Sequence, residues 1–304
     1  MTFSAKVKNE LCRVSENSTS TLSQLLYGVL LFSRSFRAEN ISFYTENRTI
    51  CNLVSDLLLR NFGCIVDVVS SHKNKQNLLL RIPVESDREK ILSKFGHGKD
   101  NISIKINHDF IKTDTDKKQF LRGVFLSCGT ITDPQNGYHL EFSVPFMNLA
   151  NSLLSLLNSL AVLEIKVKMT ERKGIFVVYI KDSADITDFL TYIGASSSAM
   201  DMMQVKMVKE VRNYVNRTTN FEAANLSKTA SAAALQIEAI HALKKTGEFS
   251  YLAEDVQELA NLRLKNPEMS LRELGENLSI PLTKSGVNHK MKKILDIGKN
   301  VKKL

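Results

Sequence analysis

Residues 22–36 read LSQLLYGVLLFSRSF and residues 120–131 read FLRGVFLSCGTI, two apolar stretches at helical spacing, each with a glycine inside it, Gly28 and Gly123. Glycine within a helix costs about 1 kcal/mol relative to alanine. Its presence in both predicts a close approach of two helix backbones, here those of the two stretches themselves. The segments after the two stretches are also alike. ISFYTEN (41–47) alternates as a strand, and its counterpart is a turn signal, Asp133-Pro134-Gln135-Asn136-Gly137, leading into YHLEFSV (138–144). Next come amphipathic helices, ICNLVSDLLLRNFG (50–63) and MNLANSLLSLLNSLA (147–161). Paired strands come after them, IVDVVSSH (65–72) with NLLLRIPV (77–84), and EIKVKMT (164–170) with GIFVVYI (174–180). Short helices close the units, REKILSKFG (88–96) and ADITDFLTYIG (184–194). Equivalent positions keep a nearly constant offset: 95 residues from Gly28 to Gly123, 100 from Ile65 to Ile165, 99 from Leu79 to Val178 and 98 from Gly96 to Gly194. Two copies of an α-β-β-α-β-β-α unit are expected. Each would be a mixed sheet with helices on one face and the other face open to a partner.

Glycine-bearing helices paired between two such sheets resemble the LAGLIDADG homing-endonuclease fold, whose sheets straddle DNA. In that family an acidic residue five positions beyond the helix glycine holds the divalent metal for strand cleavage. The equivalent positions here are Ser33 and Cys128. Magnesium needs hard oxygen ligands if it is to activate water, and a hydroxyl with a thiol does not replace two carboxylates. Ser33 and Cys128 therefore read as degenerate former metal positions. No catalytic residue, metal or other cofactor is expected.

The 304 residues are 43% hydrophobic and 24% charged, as in folded globular protein, and suit two or three domains. The apolar run Leu25–Phe32 is interrupted by Gly28 and far short of the ~20 residues that span a bilayer; the polar start Met1–Asn9 fits no signal peptide. Cys12, Cys51, Cys64 and Cys128 stand apart with no CxxC pair, which argues against a zinc knuckle or a disulfide framework and for reduced thiols in a cytoplasmic protein. The formal net charge of +9 is concentrated at one end. From Ile280 onward Lys284, Lys290, Lys292, Lys293, Lys299, Lys302 and Lys303 face a single acid, Asp296. Such a terminus favours a polyanion, nucleic-acid phosphate first; the plainer reading is a solubilising tail.

From Phe221 the composition turns alanine-rich. FEAANLSKTASAAALQIEAIHALKK (221–245) reads as a long connecting helix, with Leu226, Ala230, Ala233, Ile237 and Ile240 on one stripe and Gly247 as its cap. The alternative is a further core helix of the preceding domain. A second helical pattern, Ala253–Lys265, stops at Pro267, and Ser270-Leu271-Arg272-Glu273 is a capping box that opens another. After a turn at Ser279–Thr283, a helix from Lys284 to about Val301 turns Val287, Met291, Ile294, Gly298 and Val301 inward. Its opposite arc carries Ser285, Asn288, His289 and Lys292, with Lys293 on the flank. Short helix, turn and cationic second helix form the pattern of a DNA-reading helix-turn-helix. Asparagine pairs with adenine, lysine reaches guanine or phosphate, and serine and histidine serve base or backbone. The candidate DNA-binding residues are Lys284, Ser285, Asn288, His289, Lys290, Lys292 and Lys293. The bland readings are a surface hydrogen-bonding His289 and a solvated tail at Lys299, Lys302 and Lys303.

Four long strings, FLRGVFLSCGTITDPQNGYHLEF (120–142), ERKGIFVVYIKDSADITDFLTYIGA (171–195), VRNYVNRTTNFEAANLSKT (211–229) and SLRELGENLSIPLTKSGVNHKMKKI (270–294), resemble the bacterial WhiA proteins, and the opening MTFSAKVKNEL (1–11) is similar to that family's start. The resemblance covers essentially the whole chain and is loosest from Asn40 to Asp109. It implies an α+β protein: a two-repeat, degenerate LAGLIDADG homing-endonuclease-like domain, then an all-α helix-turn-helix domain resembling the promoter-reading region of sigma factors. It also implies a non-enzymatic DNA-binding role in transcription control, cell division and chromosome segregation, with sporulation in some lineages.

The expected organisation is a first repeat with its N-terminal helix at 1–110, a second repeat at 111–210, a connecting helix at 211–250 and the helix-turn-helix domain at 251–304. In the connecting stretch Arg212, Asn213, Asn216, Arg217, Asn220, Asn225 and Lys228 have two readings. Arg212, Asn216, Arg217 and Lys228 in particular either contact phosphate or lock an interdomain contact, and the second is favoured. The expected partner is double-stranded DNA, with transcription machinery or other regulators beside it, no membrane, and a monomeric, nucleoid-associated state. Two rival functions remain open, a residual metal-dependent nuclease using Asp133 or Glu141, and an interaction scaffold with a basic tail. No phosphate loop is present beyond the short echo Gly96-His97-Gly98-Lys99, and the six scattered histidines give little support to a metal site.

Overall fold

Asn47 starts the second helix of the first repeat by accepting the amides of Thr49 and Ile50 at 2.9 and 3.4 Å, and Gly63, in the left-handed conformation at φ 65°, ends it. The computed structural model describes residues 1–13, 19–70, 77–98 and 104–301. Ser71, His72, Lys99, Lys302, Lys303 and the side chain of Val301 lie outside the described residues. The chain divides into two compact units, 1–209 and 210–304.

In the first unit, helix α1 (Phe3–Arg13) precedes two repeats. The first runs α2 (Thr19–Leu31), β1 (Ser35–Phe36), β2 (Ile41–Thr45), α3 (Arg48–Phe62), β3 (Asp67–Ser70), β4 (Leu78–Arg81) and α4 (Glu85–Lys94). The second runs α5 (Asp114–Cys128), β5 (Gly129–Ile131), β6 (Leu140–Val144), α6 (Met147–Asn158), β7 (Lys168–Arg172), β8 (Ile175–Ile180) and α7 (Ser183–Tyr192). A Thr113–Asp116 capping box opens α5 and Asp182 caps α7. The two sheets have equivalent orders, β1-β2-β4-β3 and β5-β6-β8-β7.

Every strand pair is antiparallel, so the expected mixed sheet is corrected. The helix after β2 does carry the chain across the sheet, but the β3–β4 hairpin then folds back and places β4 between β2 and β3. Among the described residues no two parallel strands become neighbours. Alternation along the strands sends Ile41, Phe43 and Leu80, and in the second sheet Leu140, Phe142, Val178 and Ile180, into one core with the helices. The opposite faces carry Tyr44 and Arg81 in the first sheet and Glu141, Lys168 and Tyr179 in the second.

Helices α2 and α5 form the centre of this unit, and Gly28 and Gly123 are the points where their backbones touch. Helix α1 fastens the start of α8 (Ser196–Thr246): Glu10 accepts the amides of Ser197 and Ser198 at 2.7 and 2.9 Å, and Lys6 pairs with Asp201 at 2.5 Å. A carboxylate there meets the unsatisfied amides and the positive end of the helix.

The second unit contains the later part of α8 with α9 (Glu254–Lys265), α10 (Leu271–Glu276) and α11 (Lys284–Val301). The alanine-rich stretch from Phe221 is only the second half of one 51-residue helix, because Ser196–Asn220 also lacks any proline or glycine to stop it. Gly247, at φ 82°, follows its end. Within the second unit its buried stripe is Ala233, Gln236, Ala239, Ile240 and Leu243; Leu226 and Ala230, expected on that stripe, are exposed. The core of this unit begins only where α9 and α11 reach α8, at Ala239 and beyond.

Candidate nucleic-acid interface

Helices α8, through Ala239, Ile240 and Leu243, α9 and α10 hold α11 in place around one apolar core. Val256, Leu259 and Ala260 of α9, Leu274 of α10, and Val287, Met291 and Ile294 of α11 are all buried together. Ser270 and Glu273 form the expected capping box, at 3.3 and 2.7 Å. Gly275 lets α10 approach the turn, since a Cβ there would collide with the Leu282 carbonyl, and the Gly275 carbonyl itself accepts the Leu282 amide at 3.0 Å. The turn is pinned from α9: Glu258 accepts both the amide and the hydroxyl of Ser279 at 2.7 Å. Those two bonds hold the Glu258 carboxyl below its ordinary range. Thr283 caps α11 by accepting the Gly286 amide at 3.3 Å, a cap legible as threonine three residues before glycine that the sequence reading passed over. Gly298 rests against Ala239, which brings α11 onto α8.

The remaining surface of α11 is open. Lys284, Ser285, Asn288, His289, Lys292 and Lys293 are exposed, and positions 285, 288, 289 and 292 share one face at helical spacing. Asp296 is exposed one turn further on. Lys290 is different. It lies between that face and the core and forms an ion pair with Asp255 at the start of α9, which holds the Asp255 carboxyl below its ordinary range. Its charge is already matched within the unit.

On the exposed middle of α8, Arg212, Asn216, Arg217 and Lys228 all face solvent. Arg217 donates from Nε to its own helix at the Asn213 carbonyl, 3.2 Å away. Among the described residues Arg212, Asn216 and Lys228 make no side-chain hydrogen bond.

The positions equivalent to metal ligands do not form a cation site. Ser33, at the end of α2, is buried and its hydroxyl faces the carbonyls of Leu30 and Ser35 at 2.6 and 3.1 Å. Cys128, the last residue of α5, has its thiol pushed up to about 12 by burial, against the opposing pull of the Lys8 ammonium. Burial lowers Lys8 in turn, with Cys128 and Cys12 beside it. A neutral thiol beside a lysine offers none of the hard oxygen ligands that a divalent magnesium or calcium ion takes. The acids of the nuclease alternative are also engaged. Asp133 caps its own turn at the Gln135 amide, 2.8 Å, while Glu141 meets His139 at 2.9 Å and Arg172 at 3.4 Å. Among the described residues no three acids, histidines or cysteines converge as metal ligands, and no helix is long and apolar enough to cross a membrane.

Two family models match this chain. One, described as the WhiA LAGLIDADG-like domain, covers residues 117–212, and the other, the WhiA C-terminal HTH domain, covers residues 215–298. A relative from Clostridium acetobutylicum, named probable cell division protein WhiA, is 36% identical over 317 residues, covering 100% of this chain and 99% of its own. One of the same name from Thermoanaerobacter sp. is 35% identical, covering 99% and 98%. The crystal structure of full-length WhiA from Thermotoga maritima matches with a TM-score of 0.62 at 27% identity, covering 99% of both chains. The first unit is thus LAGLIDADG-like and the second a helix-turn-helix domain, in an α+β chain.

Proposed function

This chain belongs to the WhiA family, and on that premise we propose that it is a sequence-specific, double-stranded-DNA-binding regulator of transcription acting in cell division and chromosome segregation, with α11 as its reading helix. The observation that carries the reading is the open face of α11, where Ser285, Asn288, His289 and Lys292 stand exposed on a helix whose other side is fixed in a core. A rigid, solvated, cationic helix after a short capped helix is what the major groove accepts. In this reading Asn288 and Lys292 contact bases, while Lys284 and Lys293 contact phosphates. Lys290 serves the fold through Asp255. We assign reading to 251–304, the connection to 211–250 and the scaffold to the repeats at 1–110 and 111–210, in a cytoplasmic, nucleoid-associated monomer.

The LAGLIDADG-like unit acts in this reading without cleaving DNA. Support comes from the residues themselves, the engaged Ser33 hydroxyl and the partly buried Cys128 thiol beside Lys8. Selection of bound duplexes from a random pool, with the full chain and with Asn288→Ala and Lys292→Ala, tests the reading helix. A motif enriched by the parent and relaxed in either variant is expected; the same motif from all three proteins overturns it. Incubation with supercoiled plasmid and magnesium or manganese tests the second part, where nicking abolished by Asp133→Ala or Glu141→Ala would overturn it.

A further inference from the structure

Beside the reading helix, within the second unit, a cavity of about 440 Å3 opens between α8, the end of α9 and the starts of α10 and α11. That volume lies within the range of small-molecule sites. Four residues lining it are basic, Lys228, Arg263, Arg272 and Lys284, and among the described residues no acid lines it.

Arg263 is the least expected of them. It is 1% exposed, and its Nη1 donates to the carbonyls of Asn266, Pro267 and Met269 at 3.5, 3.2 and 2.6 Å. Among the described residues it has no carboxylate partner, and its Nε is buried without a hydrogen bond. A buried guanidinium held only by carbonyl dipoles keeps an uncompensated charge, which is costly until an anion arrives. Gln236, also lining the cavity, is 4% exposed and its Oε1 is likewise buried without a partner. Ser270 accepts the Glu273 amide through its hydroxyl oxygen, which leaves the hydroxyl proton for another acceptor. The Glu273 carboxylate is itself occupied by the Ser270 amide. Arg272 holds Glu276 at 2.9 Å in an exposed pair one helical turn apart, an arrangement worth little. Lys228 and Lys284 have no ion pair among the described residues.

We propose that this cavity binds a phosphate group. Lys228, Arg272 and Lys284 supply charge at the exposed side, Arg263 supplies a donor at the buried side, and the half-buried Ser270 supplies a hydroxyl between them. With a free nucleotide as the source, the unpartnered Gln236 carbonyl oxygen accepts from a ribose hydroxyl. Two sources carry this chemistry, a free nucleotide or a phosphate of bound DNA. Only the second rests on the DNA-binding reading above.

The full chain is titrated with inorganic pyrophosphate and with ATP in the absence of DNA. Separately its DNA affinity is measured against salt. Both are repeated with Lys228→Ala, Arg272→Ala and, as a control outside the cavity, Lys244→Ala. A free-nucleotide source gives saturable binding that falls at least tenfold in the two cavity variants and not in the control. A DNA source gives no such binding, and each cavity variant lowers the slope of log affinity against log salt by about 1. Anion binding that the cavity variants leave unchanged overturns the proposal, as does no anion binding together with unchanged salt slopes. If the chain binds no DNA at all, the DNA-binding reading fails and the anion titrations alone decide the cavity.

Discussion

The carbonyl of Phe120 lies over Gly28 of α2 just as the carbonyl of Leu25 lies over Gly123 of α5, so each glycine receives the backbone three residues before the other. This reciprocity gives the repeat a structural cause. Two related helices cross at one point, and neither tolerates a side chain there. Alanine at either position would gain about 1 kcal/mol of helix propensity while forcing a methyl group into a backbone carbonyl. Overpacking costs about 1–3 kcal/mol, and the upper end applies because the obstacle is backbone. Gly28→Ala and Gly123→Ala are each expected to destabilise the first unit by about 2 kcal/mol in chemical denaturation. Gly137→Ala, where nothing lies within 4 Å of the new Cβ, should change it by no more than about 0.5 kcal/mol.

Glu10 holds the first turn of α8 from a different helix. Glu10→Ala should cost about 1–2 kcal/mol, the usual loss for an N-terminal cap reinforced by charge. Glu10→Gln, which retains a carbonyl oxygen, should lose less. Hydrogen exchange at the Ser197 and Ser198 amides gives the local readout, with faster exchange in the alanine variant than in the glutamine variant.

Much of this architecture was legible because it rests on local signals. Period-3.6 apolar stretches, alternating strands and the capping residues Ser270 and Gly247 are written within a few neighbours. Sheet order was not legible, since inserting β4 between β2 and β3 is decided by hairpin packing and leaves no mark on either strand's own pattern. The stripe of α8 was half legible for a related reason. Ala233 and Ile240 meet partners, while Leu226, with the same periodicity, is 72% exposed. On α11 the sequence placed Lys290 with the other lysines, and only the fold reveals Asp255, 35 residues earlier, as its partner.

That pairing separates two lysines two residues apart. Lys290→Ala removes the contact to Asp255 and is expected to lower the melting temperature of the second unit while leaving the salt slope of DNA binding unchanged. Lys292→Ala, on the open face, should do the reverse: an unchanged melting temperature and a slope reduced by about 1 if Lys292 meets phosphate, or relaxed sequence preference if it meets a base. Equal effects of the two variants on both measurements would contradict the assignment of Lys290 to the fold.

A buried histidine gives the first unit a pH dependence of known sign. His97 is buried, and its Nε2 lies 2.8 Å from the Tyr27 hydroxyl, which already accepts the Asn107 amide at 2.8 Å. With the Asn107 amide donating to it, the Tyr27 hydroxyl is placed to donate its own proton to Nε2 of the neutral imidazole. Burial lowers the His97 pKa below its ordinary value near 6.5. The unfolded chain thus takes up the proton first as pH falls. The stabilisation is complete above about pH 6.5 and declines below it, until the folded-state pKa is reached. The decline attributable to this residue is at most about 1.4 kcal/mol per pH unit. Denaturation of the parent between pH 7.5 and pH 5 (about the range over which a histidine titrates) should show the loss, and His97→Gln, which keeps an acceptor for Tyr27 but does not titrate, should flatten it. An identical pH profile for the two proteins would show that His97 does not set this dependence.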